Sequence, residues 1–170
     1  MKCITKTWFI FVLLVINTAV FSQGKMQIKT GQTIPDFVLK NLAGEKYSLK
    51  DYKSRKIVYL NFFTISSART RRDIAELTRI YGIYKKRNVE ILGIAVKEKT
   101  EKLSFFVREF NISYPILLDS EGLIRSAYNI KTLPQSIIID RKGLVRYVGL
   151  TPPEDFEAFL KELKAQKKKK

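Results

Sequence analysis

The chain has 170 residues, of which 45% are hydrophobic and 28% are charged. The length suits one domain with a sizeable core, or one domain plus a leader, and the composition is typical of a globular protein and not of a disordered one. It contains no histidine, and Cys3 is its single cysteine. This inventory excludes a zinc site, a Ser-His-Asp triad and a Cys-His pair, so no metal and no cofactor are expected. The net charge of +16 at pH 7 favours acidic partners or an anionic membrane surface, unless it serves only solubility.

The N-terminus is typical of an export signal. Two lysines precede a continuous apolar run at residues 8–16, and small residues follow up to Ser22. This run fits a signal peptide, which needs about 7–15 apolar residues, better than a spanning helix, which needs about 20. We therefore predict a signal peptide at 1–22, with retention as a membrane anchor through residues 8–21 as the alternative. Export to the periplasm or cell envelope makes nucleic acid an unlikely partner.

After the leader, the sequence predicts one domain at 23–165 and a basic tail at 166–170, where like-charged lysines favour a solvated segment. The apolar patterns alternate between strand and helix. In chain order they predict strands at 37–39, 46–48 and 57–63, a helix through 74–84, a strand at 89–96, a helix from 100 to 110, a strand at 116–118, a helix at 123–128, strands at 136–140 and 144–148, and a helix at 153–163. Thr100 is the predicted cap of the second helix, and Pro153 the predicted start of the last one. This order predicts an α/β fold with a central mixed sheet and helices on both sides.

Six segments resemble motifs of one family, in order and at similar spacing. The segments of this chain, each followed in parentheses by the family motif that it resembles, are 34–39 (A-P-D-F-x-L), 47–52 (S-L-x-D-Y), 58–63 (V-L-N-F-W), 89–94 (V-E-V-L-G-V), 114–119 (F-P-V-L-L-D) and 132–140 (G-L-P-T-T-x-L-I-D). Together they cover roughly residues 31–163 and resemble the TlpA/ResA-like thiol-disulfide oxidoreductases of the redoxin and AhpC/TSA group. The resemblance implies a thioredoxin-like fold with an N-terminal β-hairpin.

The resemblance breaks at the redox motif. Where the family carries W-C-x-x-C, this chain has Ser66-Ser67-Ala68-Arg69-Thr70. By this resemblance, Ser67 and Thr70 stand at the two cysteine positions and Ser66 at the tryptophan position. Disulfide exchange requires a thiolate, and a serine hydroxyl does not ionise without a base. The implied activity is therefore not carried over with the fold.

Other positions suggest binding. Pro134 matches the family's cis-proline, and Thr132 and Leu133 before it are expected to offer backbone groups to an extended peptide. A helix N-terminus favours anions, so Arg69 beside two hydroxyls is a candidate carboxylate or phosphate site. Simple capping by the serines and surface coverage by the arginine are the alternatives. Glu98 matches a family glutamate near the thiols, and we predict an ion pair between Glu98 and Arg69.

Two functions follow from these observations. The first is a non-catalytic module that binds an extended or acidic segment of another exported protein across Ser67, Thr70 and Pro134. The second is a redox enzyme of the thiol-disulfide oxidoreductase or peroxiredoxin type, acting in envelope redox or cytochrome c maturation. The second function would need a sulfur from Cys3, which precedes the apolar run. Turnover of a disulfide substrate distinguishes the two.

Overall fold

The structure is a computed structural model that describes residues 27–165. The predicted signal peptide at 1–22 and the predicted basic tail at 166–170 lie outside the described residues, so both stay predictions. Within 27–165, no helix combines the length and the apolar character that a membrane span needs.

Strands and helices alternate along the described chain. The strands are β1 (Val38–Lys40), β2 (Lys46–Ser48), β3 (Ile57–Phe63), β4 (Val89–Val96), β5 (Ile116–Asp119), β6 (Gln135–Ile139) and β7 (Val145–Gly149). The α-helices are α1 (Ala68–Tyr84), α2 (Thr100–Glu109), α3 (Leu123–Ala127) and α4 (Phe156–Ala165). Single-turn 3-10 helices follow β2 and α1.

The central sheet is mixed and has the strand order β5-β4-β3-β6-β7. β3 is parallel to β4 and antiparallel to β6, and β4 is parallel to β5. The antiparallel pair β1-β2 forms a separate N-terminal hairpin. The predicted fold class is confirmed.

The core has two layers because β3 and β4 are buried on both faces. On one face, alternate β3 residues such as Tyr59 and Phe63 pack against α1, α2 and α4. On the other face, Leu60 and Phe62 pack against Tyr128 and the hairpin side chains. Continuous apolar runs are what strands buried on both faces require. This burial explains why β3 and β4 have the predicted bounds.

The start of α2 differs from the prediction. Thr100 is the first helical residue and not the cap, since Lys99 occupies the N-cap without a side-chain capping hydrogen bond. The chain leaves β4 through a turn in which Lys97 adopts a left-handed backbone with φ of 56°. The helix therefore starts one residue earlier than predicted, and Thr100 lies inside its first turn instead of at the cap.

The start of α4 also differs. The helix begins at Phe156 and not at Pro153. The Asp155 carboxylate accepts a hydrogen bond from the N–H of Ala158 at 2.8 Å. An N-cap favours a side-chain acceptor, which Asp155 supplies and the two prolines before it lack.

Candidate functional site

The predicted site residues come together at one end of the strands of the central sheet. Phe63 of β3 pairs with Ala95 of β4, and Phe62 pairs with Gln135 of β6. The segments that follow β3 and β4 therefore meet the segment that precedes β6. These segments carry Ser66, Ser67, Arg69, Thr70, Glu98, Thr132, Leu133 and Pro134.

Ser67 is the N-cap of α1. Its backbone is extended (φ −77°, ψ 124°), and its Oγ accepts a hydrogen bond from the N–H of Thr70 at 3.4 Å. The acceptor satisfies one of the free N–H groups that every helix start leaves. The capping role expected of a serine here is therefore present, and it engages the hydroxyl that stands at the first cysteine position of the resemblance.

Glu98 binds the connection between β3 and α1. Its Oε1 accepts hydrogen bonds from the Thr64 hydroxyl and from the Ile65 N–H, the latter at 2.9 Å. The Thr64 hydroxyl also lies 3.2 Å from the Ser66 Oγ. The predicted ion pair between Glu98 and Arg69 is wrong, since the ion pairs found in residues 27–165 include neither residue. The carboxylate is held by the turn because two donors there point at one oxygen.

Several polar side chains lie buried beneath the start of α1. Thr70 and Asn61 are each 1% exposed, and neither the Thr70 Oγ1 nor the Asn61 Nδ2 has a hydrogen-bond partner within the part of the chain described. The Asp73 Oδ2 and the Tyr114 hydroxyl are also buried and also have no hydrogen-bond partner within the described residues. Burial raises the pKa of Asp73, while Arg69 and Arg72 act in the opposite direction. The second cysteine position of the resemblance therefore holds a buried, neutral hydroxyl.

A second buried polar pair lies on β3 and β6. The Tyr59 hydroxyl and the Ser136 Oγ are 2.6 Å apart. Burial raises the pKa of Tyr59, although the Ser136 contact opposes the shift. The phenol is therefore neutral at physiological pH, and the pair ties the middle of β3 to the start of β6.

The loop before β6 presents free backbone groups. The Leu133–Pro134 peptide bond is cis. Pro134 is buried, Leu133 packs partly against the core and Thr132 is exposed. Among the backbone hydrogen bonds of residues 27–165, none uses the N–H or C=O of Thr132 or Leu133. These groups are available to a strand that approaches from outside.

An apolar groove of about 480 Å³ lies beside the start of α1. Ile65, Phe105, Phe106 and Phe110 form its apolar surface, and the Phe105 side chain is 61% exposed. The groove rim carries the charged residues Arg71, Glu101, Lys102 and Glu109. Ile65 and Arg71 place this groove next to the start of α1, and an exposed aromatic side chain in such a groove is typical of interaction surfaces.

Comparison with known proteins shows the family of the chain. Residues 30–148 match the AhpC/TSA family. The chain belongs to the AhpC/TSA family. It is 34% identical to the thiol-disulfide oxidoreductase ResA of Geobacillus kaustophilus, over 96% of this chain and 97% of that protein. It is also 33% identical to the thioredoxin-like protein YneN of Bacillus subtilis, over 81% of this chain and 82% of that protein. These relatives confirm the TlpA/ResA-like family assignment.

Solved structures show the same fold. A thiol:disulfide interchange protein of the thioredoxin family from Chlorobium tepidum aligns with a TM-score of 0.69 at 26% identity, covering 81% of this chain and 98% of that one. The thioredoxin domain of a thiol-disulfide oxidoreductase from Bacteroides vulgatus aligns with a TM-score of 0.71 at 21% identity, covering 81% and 99%. The predicted thioredoxin-like fold is therefore confirmed.

Sequence reasoning missed three residues of the candidate site, namely Thr64, Ile65 and Asp73. Thr64 and Ile65 hold Glu98, and no local pattern indicates a partner 33 residues away. Asp73 could have been found, because it follows Thr70 by three positions and therefore shares its inward-facing side of α1. A polar residue on the buried side of an amphipathic helix is an available signal for a polar pocket.

The Ser67 cap can be tested with its neighbour as control. We expect Ser67→Ala to lower the free energy of unfolding by about 1 kcal/mol, because the Thr70 N–H loses its acceptor. Ser66→Ala removes an exposed hydroxyl one residue earlier and should change stability by less than about 0.5 kcal/mol. Urea unfolding at neutral pH measures both. Equal effects of the two variants would contradict the assignment of the cap.

Asp73 should make stability depend on pH. Its pKa is raised in the folded state, so the folded chain binds the proton more tightly than the unfolded chain does. The Asp73 contribution to stability therefore falls as pH rises from the pKa of Asp73 in the unfolded chain to its higher pKa in the folded chain. We expect Asp73→Asn to gain stability relative to the wild type between about pH 3 and about pH 7, as measured by urea unfolding across pH. Asp51→Asn, which removes one exposed carboxylate, is the control, and parallel wild-type and Asp73→Asn profiles would refute the role of Asp73.

Proposed function

We propose that this chain is a non-catalytic ResA-like protein that binds an extended segment of another exported protein. The observation that carries the proposal is the pair of free backbone positions at Thr132 and Leu133, next to the start of α1. A docked strand could pair with these backbone groups, whereas the chain has no thiol other than that of Cys3.

The chemistry of the two hydroxyl positions supports binding over exchange. Ser67 Oγ accepts the capping hydrogen bond of α1, and Thr70 is almost fully buried. An alcohol needs a neighbouring base to act as a nucleophile, and the chain has no histidine. A hydroxyl also cannot form the mixed disulfide through which thiol-disulfide exchange proceeds.

The shape and charge of the candidate site indicate the conformation and the charge of the segment that would bind there. An extended strand would hydrogen-bond to the free backbone groups of Thr132 and Leu133. Arg69 is half-buried and takes part in no ion pair within residues 27–165. Arg71 lies on the groove rim. These guanidinium groups favour a segment that carries carboxylates.

The location of this binding follows from the predicted leader. A signal peptide at 1–22 would bring the domain to the periplasm or cell envelope, where its partner would also reside. We propose this location together with the function.

An insulin-reduction assay tests the absence of catalysis. We expect no turnover with the wild-type chain, and measurable turnover with the double variant Ser67→Cys/Thr70→Cys, because the scaffold positions both residues at the start of α1. Turnover by the wild type that is lost in Cys3→Ser would establish the redox-enzyme alternative instead.

Peptide binding tests the positive half of the proposal. We expect labelled extended peptides rich in acidic and apolar residues to bind the wild-type chain in fluorescence anisotropy. Arg69→Glu should weaken that binding about tenfold, which corresponds to about 1.4 kcal/mol. Arg55→Glu makes the same charge change on an exposed residue before β3, at the opposite end of the sheet, and is the matched control. Equal weakening by both variants, or no binding by any acidic peptide, would refute the proposed site.

A further inference from the structure

The end of the sheet opposite the candidate site is strongly basic. The Ile57 N–H donates to the Asn88 carbonyl at 2.9 Å, and the Ser54 N–H donates to the Arg141 carbonyl at 2.8 Å. The starts of β3 and β4 and the turn between β6 and β7 are therefore neighbours. We call this surface the basic end. Its basic side chains that form no ion pair within residues 27–165 are Lys53, Arg55, Lys85, Lys86, Arg87, Arg141, Lys142 and Lys164.

The carboxylates at the basic end offset little of this charge. Glu90 is buried, and its Oε2 lies 2.6 Å from the Lys56 ammonium. The Asp140 carboxylate lies 2.7 Å from the Arg146 guanidinium. Each of these acids is matched by a basic residue outside the unpaired set. Asp36, Asp51 and Glu162 are exposed acids near this surface, so three carboxylates offset part of the charge of eight basic side chains and the basic end keeps a positive surplus.

The basic side chains surround a cleft instead of being scattered. The cleft has a volume of about 290 Å³ and is lined by Ser54, Arg141, Lys142 and Lys164 among others. It brings together three segments that are far apart in sequence, namely the start of β3, the β6-β7 turn and the end of α4. A concave basic surface concentrates positive potential and attracts anionic groups.

Both flanking sequences join the domain at this end. The Gly31 N–H donates to the Val145 carbonyl, and the Val145 N–H donates to the Gln32 carbonyl, each at 2.8 Å, so the N-terminal segment enters beside the start of β7. In sequence, the apolar run at 8–16 precedes that segment. Four lysines at 167–170 follow Lys164 of the cleft.

We propose that the basic end docks the domain on a membrane surface rich in anionic lipid headgroups. Clusters of basic residues next to an apolar segment are attracted to such surfaces, by about 1 kcal/mol for each residue near the headgroups. This charge complementarity and the position of both flanking sequences favour a membrane over a dissolved polyanion. The inference does not depend on the proposed peptide binding.

Docking at the basic end would leave the candidate site accessible. β3 runs from Ile57 at the basic end to Phe63 at the site, a length of about 20 Å at about 3.3 Å per residue. The loop of Thr132 and Leu133 would then face away from the lipid. A membrane-bound domain could therefore still receive a partner from the aqueous side.

Vesicle co-sedimentation of the full chain tests the docking. The vesicles are pure phosphatidylcholine, or equal parts phosphatidylcholine and phosphatidylglycerol, so that the pure vesicles measure any binding by the apolar run. We expect a preference for the anionic vesicles. Lys53→Gln/Lys142→Gln/Lys164→Gln should reduce that preference about 100-fold, since each lysine contributes about fivefold. The matched control removes three exposed lysines from the site end, as Lys99→Gln/Lys102→Gln/Lys131→Gln, and should retain most of the preference.

The salt dependence of the wild type provides a measurement without any substitution. Raising sodium chloride from about 0.05 M to about 0.5 M should abolish the preference for anionic vesicles, because screening shortens the range of these charges. A preference that resists salt, equal binding to both vesicle types, or the same loss in both triple variants would overturn the proposal. Binding of polyphosphate without binding to anionic vesicles would overturn it as well.

Discussion

The arrangement of this molecule depends on β3, a strand whose seven residues are all buried. A strand buried on both faces must have a neighbour on each edge and a layer on each side. β4 and β6 are these neighbouring strands, and their registers with β3 determine which loops meet at its two ends. One end gathers the hydroxyls of α1, Glu98 and the loop before Pro134. The other end gathers the basic side chains.

Glu98 has a structural role in the scaffold. Its carboxylate accepts hydrogen bonds from the turn that positions the start of α1. Hydrogen bonds to a charged group contribute about 1.5–3 kcal/mol each, so this residue has a structural role whether or not a thiol lies nearby. The arrangement keeps the start of α1 and the Thr132-Leu133 loop at the same end of the central sheet, where we propose that a strand docks.

The partners that we propose for the two ends of the sheet differ for physical reasons. The site end has free backbone groups and a few guanidinium groups, and these are the basis for proposing a protein segment as its partner. The basic end has eight basic side chains without an ion pair in residues 27–165, several of them around a cleft, and this is the basis for proposing a surface with many anionic groups as its partner. About 20 Å of β3 separates the two surfaces, so both could be occupied at once.

The sequence by itself determined the elements and the chemical inventory. Apolar runs predicted β3 and β4 at their observed bounds, because strands buried on both faces tolerate few polar residues. The counts of one cysteine and no histidine needed no coordinates. Tertiary structure alone decided that Glu98 binds Thr64 and Ile65 instead of Arg69, and that segments around Lys53, Arg141 and Lys164 form one basic surface. Such contacts join residues tens of positions apart, and only the register of the strands determines which of them meet.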